Sequence, residues 1–310
     1  MSTATLDLAV AEPRSNGIWD YISPSRLNLW LRCPLAFKLR YVDGVHTPPT
    51  ANLFLGKQVH DALEVFYRHR QLGVDLPIEA AVQRVADHWE VAIEEQQMRF
   101  ASVDAELALQ QQAQDLVRLY LQNMADSDDT PLAVETRIEE PLIDPANGED
   151  LGIPLLGVMD LILDGRYGSL IVDFKTASRA AAPFEVTHEI QLSSYAYLYR
   201  QASGRQEGGL EIRSLIKNKT PKLDFHSYQP RTDQHFRRLF AVIRAYLDDL
   251  DRGDFIFRPG MGCVMCDFRD DHCLQWVAEH NWPSRRTTAV SVLRRAGDKR
   301  PVGSQIRPHR

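Results

Sequence analysis

The sequence predicts a mixed α/β domain, with a central sheet flanked by helices, a helical insertion ahead of the sheet and a cysteine-bearing segment behind it. Three observations lead there. Apolar residues recur at helical spacing up to about residue 125. From Leu132 the texture changes to short apolar or alternating runs, two of which end on an acid. After residue 190 helical and strand patterns alternate again. The 310 residues, 44% hydrophobic and 25% charged, have ordinary globular composition. That length can bury the core of one large domain or two small ones.

Residues 1–18 are polar and aperiodic, and are expected to be disordered. Ser23-Pro24-Ser25 is a helix start with proline in the first turn. Leu27, Trp30 and Leu31 follow at helical spacing, and Cys33 sits in Arg32-Cys33-Pro34. Pro48-Pro49 marks a loop. Gly56 is expected to precede a helix carrying Val59, His60, Leu63, Phe66 and Tyr67, broken at Leu76-Pro77. Two further helical segments, 78–97 and 104–125, complete an insert over about 60–125. Leu132 to Leu142 and Leu155 to Leu163 read as strands, Asp164 to Gly168 as a hairpin turn, and Leu170 to Lys175 as the next strand. Gln191 to Arg200 is a helix with Leu192, Tyr195, Ala196 and Tyr199 on one face. Strands over 210–217 and 222–228 and a long amphipathic helix over 232–251 follow. The Cys-rich segment 255–276 ends in a short helix near Trp276. The tail, 283–310, carries eight Arg/Lys against one Asp. It reads as a solvated disordered end, with contacts to phosphates as the alternative.

Composition excludes several classes. No run of about 18 apolar residues is present, so no transmembrane helix is expected. Met1 to Gly17 lacks the basic and apolar regions of a secretory signal, and the protein reads as cytoplasmic. Gly56-Lys57 is followed by Gln58, so no phosphate-binding motor loop occurs there. The net charge of −6 argues against a surface coated in positive charge, although a local basic groove within an acidic whole remains compatible with nucleic acid.

The chemistry is carried by Gly157-Val158-Met159-Asp160 and Ile171-Val172-Asp173-Phe174-Lys175. The intervening turn places both acids on neighbouring strands, and Asp173 and Lys175, two apart, leave the same face. Taken alone, Asp-x-Lys on a strand is most often a surface ion pair. The second acid-ended strand across a turn sharpens it. Paired carboxylates hold hard Mg²⁺ or Mn²⁺, which polarise a phosphate and acidify a bound water, and a lysine beside them stabilises developing negative charge.

The cysteines form a separate pattern: Cys263-x2-Cys266-x6-Cys273, with Cys33 far upstream. In a reducing cytosol four thiols suit a metal or cluster site better than disulfides. Thiolate-only ligation serves both Zn²⁺ and iron–sulfur clusters. Spacing by itself favours zinc, the commoner site.

Together, Gly157-x2-Asp160, Asp173-Phe174-Lys175, Gln191-Leu192-x2-Tyr195, Gly56-x2-Val59-His60 and the opening Ser25-x-Leu27 with Cys33-Pro34 resemble the motif series of the RecB-like branch of PD-(D/E)XK nucleases. The resemblance spans about 22–276 and implies a restriction-endonuclease-like domain over 19–282. It implies Asp160, Asp173, His60 and the Phe174 backbone carbonyl as metal ligands, Lys175 as the catalytic lysine, and Gln191 and Tyr195 as residues that line the site. Core packing is the plain alternative for His60 and for Tyr195. Glu64, one turn beyond His60, reads as a solvated acid. The one-plus-three cysteine layout resembles iron–sulfur nucleases, the AddB-type helicase–nuclease subunits and the CRISPR-adaptation exonucleases, and so favours a 4Fe–4S cluster on Cys33, Cys263, Cys266 and Cys273 over zinc. The implied function is a single-stranded DNA exonuclease in repair, recombination, phage or CRISPR-adaptation processing, with a helicase or recombination partner acting in trans. Arg68, Arg70, Arg84 and Arg99 of the insert are candidate strand contacts. The alternatives are a non-catalytic DNA-binding partner subunit and a zinc-stabilised RNA nuclease.

Overall fold

A computed structural model describes residues 17–180 and 185–276. The basic tail and most of the polar N-terminus lie outside these residues. Gly17 and Ile18, expected to be disordered, are held instead: the Gly17 carbonyl accepts from Arg26 and Ile18 packs on the core.

Five strands form one mixed sheet in the order β1-β2-β3-β4-β5. They are β1 (Pro131–Ile143), β2 (Asp150–Leu163), β3 (Leu170–Ala177), β4 (Gly209–Ile216) and β5 (Lys222–Tyr228). Only β3 and β4 run parallel; the other three neighbouring pairs are antiparallel. The parallel step needs a crossover, supplied by helix α7 (Glu189–Ser203). Helices cover both faces, giving three layers. On one side α1 (Pro24–Arg32), α2 (Pro34–Phe37), α7 and α8 (Asp233–Arg252) enclose a core with Leu155, Ile162, Ile171 and Ile212. On the other, α3 (Ala51–Gln71), α4 (Ile78–Asp87), α5 (Trp89–Gln96) and α6 (Val103–Met124) enclose Leu161, Leu163, Val172 and Phe174. Adjacent strand residues thus serve opposite cores, as the two-residue period of a strand requires. No helix among the described residues is long and apolar enough to cross a membrane.

Helix α3 starts five residues before Gly56, capped by Thr50, whose hydroxyl accepts the Leu53 N–H at 3.3 Å. Gly56 is therefore interior to the helix. Its role is tertiary, because a Cβ there would meet Thr176 Oγ1 at 2.8 Å, so glycine lets α3 lie directly on β3. The helix ends at Gln71, ahead of Gly73 in the left-handed region, rather than at Pro77. The segment expected as one helix over 78–97 is two, divided at His88. The last helical turn covers Arg269–Cys273 and precedes Trp276.

The segment before α1 is fixed to the sheet. Ile22 N–H donates to the Pro154 carbonyl at 2.8 Å, and Leu156 N–H donates to the Ile22 carbonyl at 2.7 Å. The start of the chain consequently runs beside the strand that carries Asp160.

Candidate active site

Strands β2 and β3 pair at Leu163–Leu170, Ile162–Ile171 and Leu161–Val172, and there the ladder stops. At the next position the Asp160 side chain takes over, with Oδ2 accepting the Phe174 N–H at 2.7 Å. A carboxylate thus fills the place of a strand carbonyl and is fixed in the gap where the two strands part. Asp173, 1% exposed, sits across that gap. Its Oδ1 accepts from Gln191 Nε2 at 2.5 Å and its Oδ2 pairs with Lys175 Nζ at 2.6 Å. Gln191 Nε2 also donates to Tyr195 Oη at 3.0 Å, so α7 braces the Asp173 side of the site. Tyr195 is 5% exposed and packs in the core while keeping its hydroxyl at the site.

The opposite wall is α3. His60 Nδ1 lies 3.7 Å from Asp160 Oδ2, and its ring meets Phe174 edge-on, 5.9 Å between centroids. A third acid completes this wall. Glu135 of β1 falls between the pairs Val134–Leu161 and Thr136–Met159, level with Asp160. Among the described residues, His60, Glu135 and Asp160 are the one set whose three ligand atoms lie within 4.8 Å of one another. Glu135 has φ +41, a conformation that costs a non-glycine residue on the order of 1 kcal/mol or more. The twist has a consequence. Val134 and Glu135, though neighbours in sequence, both turn toward α3, and Asp160 and Leu161 do the same on β2. With Val134 and Leu161 packed toward α3, ordinary alternation would have sent both acids to the far face.

These groups line a cleft of about 560 Å³ that also contains Lys57, Glu64, Lys175 and Lys217. Its electrostatics are those of acids short of a cation. Burial, then repulsion from Asp173, pushes Asp160 up to about 8. Burial, then repulsion from Asp160, pushes Glu135 up to about 7. Burial lowers His60, leaving a neutral imidazole able to ligate. A divalent ion would reverse the carboxylate shifts by stabilising their charged forms. Three converging donors of two oxygens and an imidazole fit such an ion.

Sequence reading thus named His60, Asp160, Asp173, Phe174, Lys175, Gln191 and Tyr195, and all seven gather at the mouth of β2 and β3. It missed Glu135. No local signal separates that residue from Glu139 and Glu140 on the same strand; only the register and the kinked backbone do. Glu64 lines the cleft but is paired with Arg68 at 2.7 Å. Arg70 is not free for a strand contact, because it donates to the carbonyls of Ala125 and Asp128 behind α6.

The cysteines lie elsewhere. Cys33 stands between α1 and α2 and accepts the Arg258 N–H at 3.4 Å. Leu35 N–H donates to the Ile256 carbonyl at 3.2 Å, and Phe37 stacks on Phe255, so the segment around Cys33 runs against the segment that leads into Cys263. Burial, then the nearby sulfurs of Cys33, Cys266 and Cys263, pushes the Cys273 thiol up. No three of the sulfurs come within 4.8 Å of one another.

No curated protein matches the chain. Among solved structures, one named "Putative exonuclease", from Eubacterium rectale, superposes with a TM-score of 0.51 at 13% identity, covering 90% of this chain and 96% of its own. A second, SSO0001, gives 0.38 at 14% identity over 83% and 88%. The first shares the fold; the second is too distant to carry an argument. At the level of sequence families, residues 21–271 match the PD-(D/E)XK nuclease superfamily, a span that includes every element from α1 to α8. The chain belongs to the PD-(D/E)XK nuclease superfamily, whose members use divalent metals to hydrolyse phosphodiester bonds.

Proposed function

We propose that this protein is a Mg²⁺- or Mn²⁺-dependent deoxyribonuclease that digests single-stranded DNA from an end. The observation that carries the reading is the convergence of His60, Glu135 and Asp160 in one cleft with Lys175. His60, Glu135 and Asp160 would hold the ion, with Asp173 and the Phe174 carbonyl completing the set. When bound, the ion polarises the scissile phosphate and lowers the pKa of a water. Lys175 orients that water and stabilises the charge that builds on phosphate oxygen. Asp173 holds the ammonium until substrate arrives, Gln191 orients Asp173 by donating to its other oxygen, and Tyr195 fixes Gln191. Lys57, on the same cleft, suits a neighbouring phosphate.

The cysteines support a structural 4Fe–4S cluster. The support for the cluster is the one-plus-three spacing of the four thiols and their approach in the fold, where Cys273 feels the sulfurs of Cys33, Cys266 and Cys263. Such a group would tie the segment at Cys33 to the segment at 263–273 and close a loop around most of the domain. Protein purified without oxygen should be brown, with broad visible absorbance; colourless protein carrying one zinc per chain would reverse the assignment. The reading includes a helicase or recombination partner that acts in trans in the cytoplasm and supplies the unwound strand.

The decisive assay is digestion of an end-labelled single strand. Cleavage should require Mg²⁺ or Mn²⁺ and stop with EDTA. Asp160→Ala and Asp173→Ala should abolish it, and Lys175→Ala should slow it by about 10²–10³-fold while DNA binding persists. Equal rates for wild type and Lys175→Ala would sink the proposal.

A further inference from the structure

Lys175 and Val158 line two openings. One is the acid-rich cleft. The other is a pocket of about 400 Å³ on the far side of the lysine, between α1, the paired segment at Ile22, β2 and α7. That size falls within the ~300–1,000 Å³ of pockets that enclose small ligands. Its chemistry differs from that of the cleft. Tyr21, Tyr41 and Tyr195 contribute rings, and Ser25, Asn28 and Gln191 contribute hydroxyl and amide groups. Among the described residues, Lys175 is its sole charged lining.

The rings are held from behind. Arg26, 6% exposed, places its guanidinium 3.8 Å from the Tyr21 ring centre and 5.0 Å from that of Tyr41. The same guanidinium donates to the Tyr21 carbonyl at 2.6 Å and the Gly17 carbonyl at 3.1 Å. Tyr21 itself is anchored by its neighbour, because the two hydrogen bonds of Ile22 lock this segment onto β2. Ser25 and Asn28 are exposed on α1 and face the same opening. A pocket with fixed aromatic rings, amides and hydroxyls but without a carboxylate suits a flat, polar-edged, uncharged group.

We propose that this pocket receives one unpaired nucleobase of the substrate strand, from the nucleotide next to the scissile phosphate. The proposal rests on the nuclease reading of the site and deepens it. A strand laid across Lys175 would put its phosphates toward the acid-rich cleft and Lys57, and turn a base into the opposite pocket. A base still paired in a duplex could not enter, because its hydrogen-bonding edge and one or both faces are already occupied. The preference for single strands would therefore be built into Tyr21, Tyr41 and Asn28 rather than into the metal site. Base–ring stacking tolerates any sequence, since every base offers a flat face.

The test is a binding measurement in Ca²⁺, so that its outcome is separate from that of cleavage. Fluorescence anisotropy would follow the protein on single-stranded oligonucleotides carrying one abasic tetrahydrofuran residue at successive positions from the end. One position should weaken binding about tenfold, within the ~5–150-fold that stacking of a single base supplies. Tyr21→Ala should produce the same loss on the intact strand and no further loss on the strand abasic at that position, while Tyr21→Phe keeps wild-type affinity. Ser25→Trp, on the exposed face of α1, should block the pocket without touching the core and give the same loss. Equal affinity for all abasic strands, or wild-type affinity of both Tyr21→Ala and Ser25→Trp, would overturn the base pocket even if metal-dependent cleavage is intact. Loss of all cleavage in wild type would instead overturn the nuclease reading.

Discussion

Helix α3 carries two polar clusters on one side, seven residues apart, and they are opposites. At Tyr67 the cluster is closed. Arg213, 3% exposed, donates to Tyr120 Oη at 2.7 Å and Asp128 Oδ2 at 2.9 Å, and its Nε donates to Glu211 Oε2 at 2.6 Å. Tyr67 Oη donates to the same Asp128 and meets Tyr120 Oη at 2.8 Å. Every buried charge there has a partner of opposite sign, and the Arg213 guanidinium is held even more firmly protonated than usual by Tyr120, Asp128 and Glu211 despite the cost of burial. At His60 the cluster is open. Two carboxylates and a neutral imidazole face one another, and Lys175, on the same cleft, is bound to Asp173. The same helix, packed on the same sheet, thus builds one network that stabilises the fold and one that resists it. The difference teaches that burial of charge is not by itself a sign of stability. What marks a functional site is burial left uncompensated by opposite charge, where desolvation and mutual repulsion raise the acids.

This contrast can be broken at either end. The largest effect is expected at Glu135→Gln, which removes one of the three proposed metal ligands but leaves the backbone and volume in place. Cleavage should be abolished at ordinary Mg²⁺ concentrations, while the metal-free protein becomes more stable in urea, because a half-buried acid facing another acid has been neutralised. A fall in the stability of the metal-free variant would mean that Glu135 has a compensating partner and belongs with the closed type. Asp128→Ala should do the reverse. It leaves Arg213 buried and unpaired at a cost of about 3–5 kcal/mol, read as a lower urea midpoint, with the metal-dependent rate per folded molecule preserved.

The smallest and most graded effect is that of pH on the metal-free protein. Asp160 and Glu135 have folded-state values raised to about 8 and about 7. A group raised on folding contributes stability that is complete below its unfolded value, near 4, and lost as pH climbs through the folded value. The melting temperature in EDTA should therefore fall between about pH 4 and pH 8. Saturating Mn²⁺ should flatten or reverse the slope, most strongly at the alkaline end, because the ion needs both carboxylates ionised. An identical slope with and without Mn²⁺ would place the ion elsewhere.

The family resemblance and the strand pattern were legible because they are local. The two-residue period of a strand puts Asp173 and Lys175 on one face, and a five-residue turn brings Asp160 alongside. Helical spacing likewise places Gln191 and Tyr195 on one side of α7. The cysteine pattern is local in the same way, three of the four thiols lying within eleven residues of chain. Glu135 could not be read in this way. Its membership depends on the β1–β2 register and on a left-handed backbone that breaks alternation, neither of which leaves a mark in composition. Gly56 was misread as a helix boundary because glycine usually disfavours a helix, whereas here the approach of Thr176 demands it.

What the sequence alone determined is therefore the chemistry available: two acids, a lysine and a histidine, in elements whose periodicity aims them consistently. What only the tertiary structure decided is which of many acids joins them, which arginines are already committed to carbonyls, and which side of Lys175 is charged and which is not. The reason is physical. Side-chain direction within an element follows from its backbone period, a property of neighbours in the chain. Convergence between elements follows from packing two cores against one sheet, which sets register, spacing and burial over distances the local sequence does not encode.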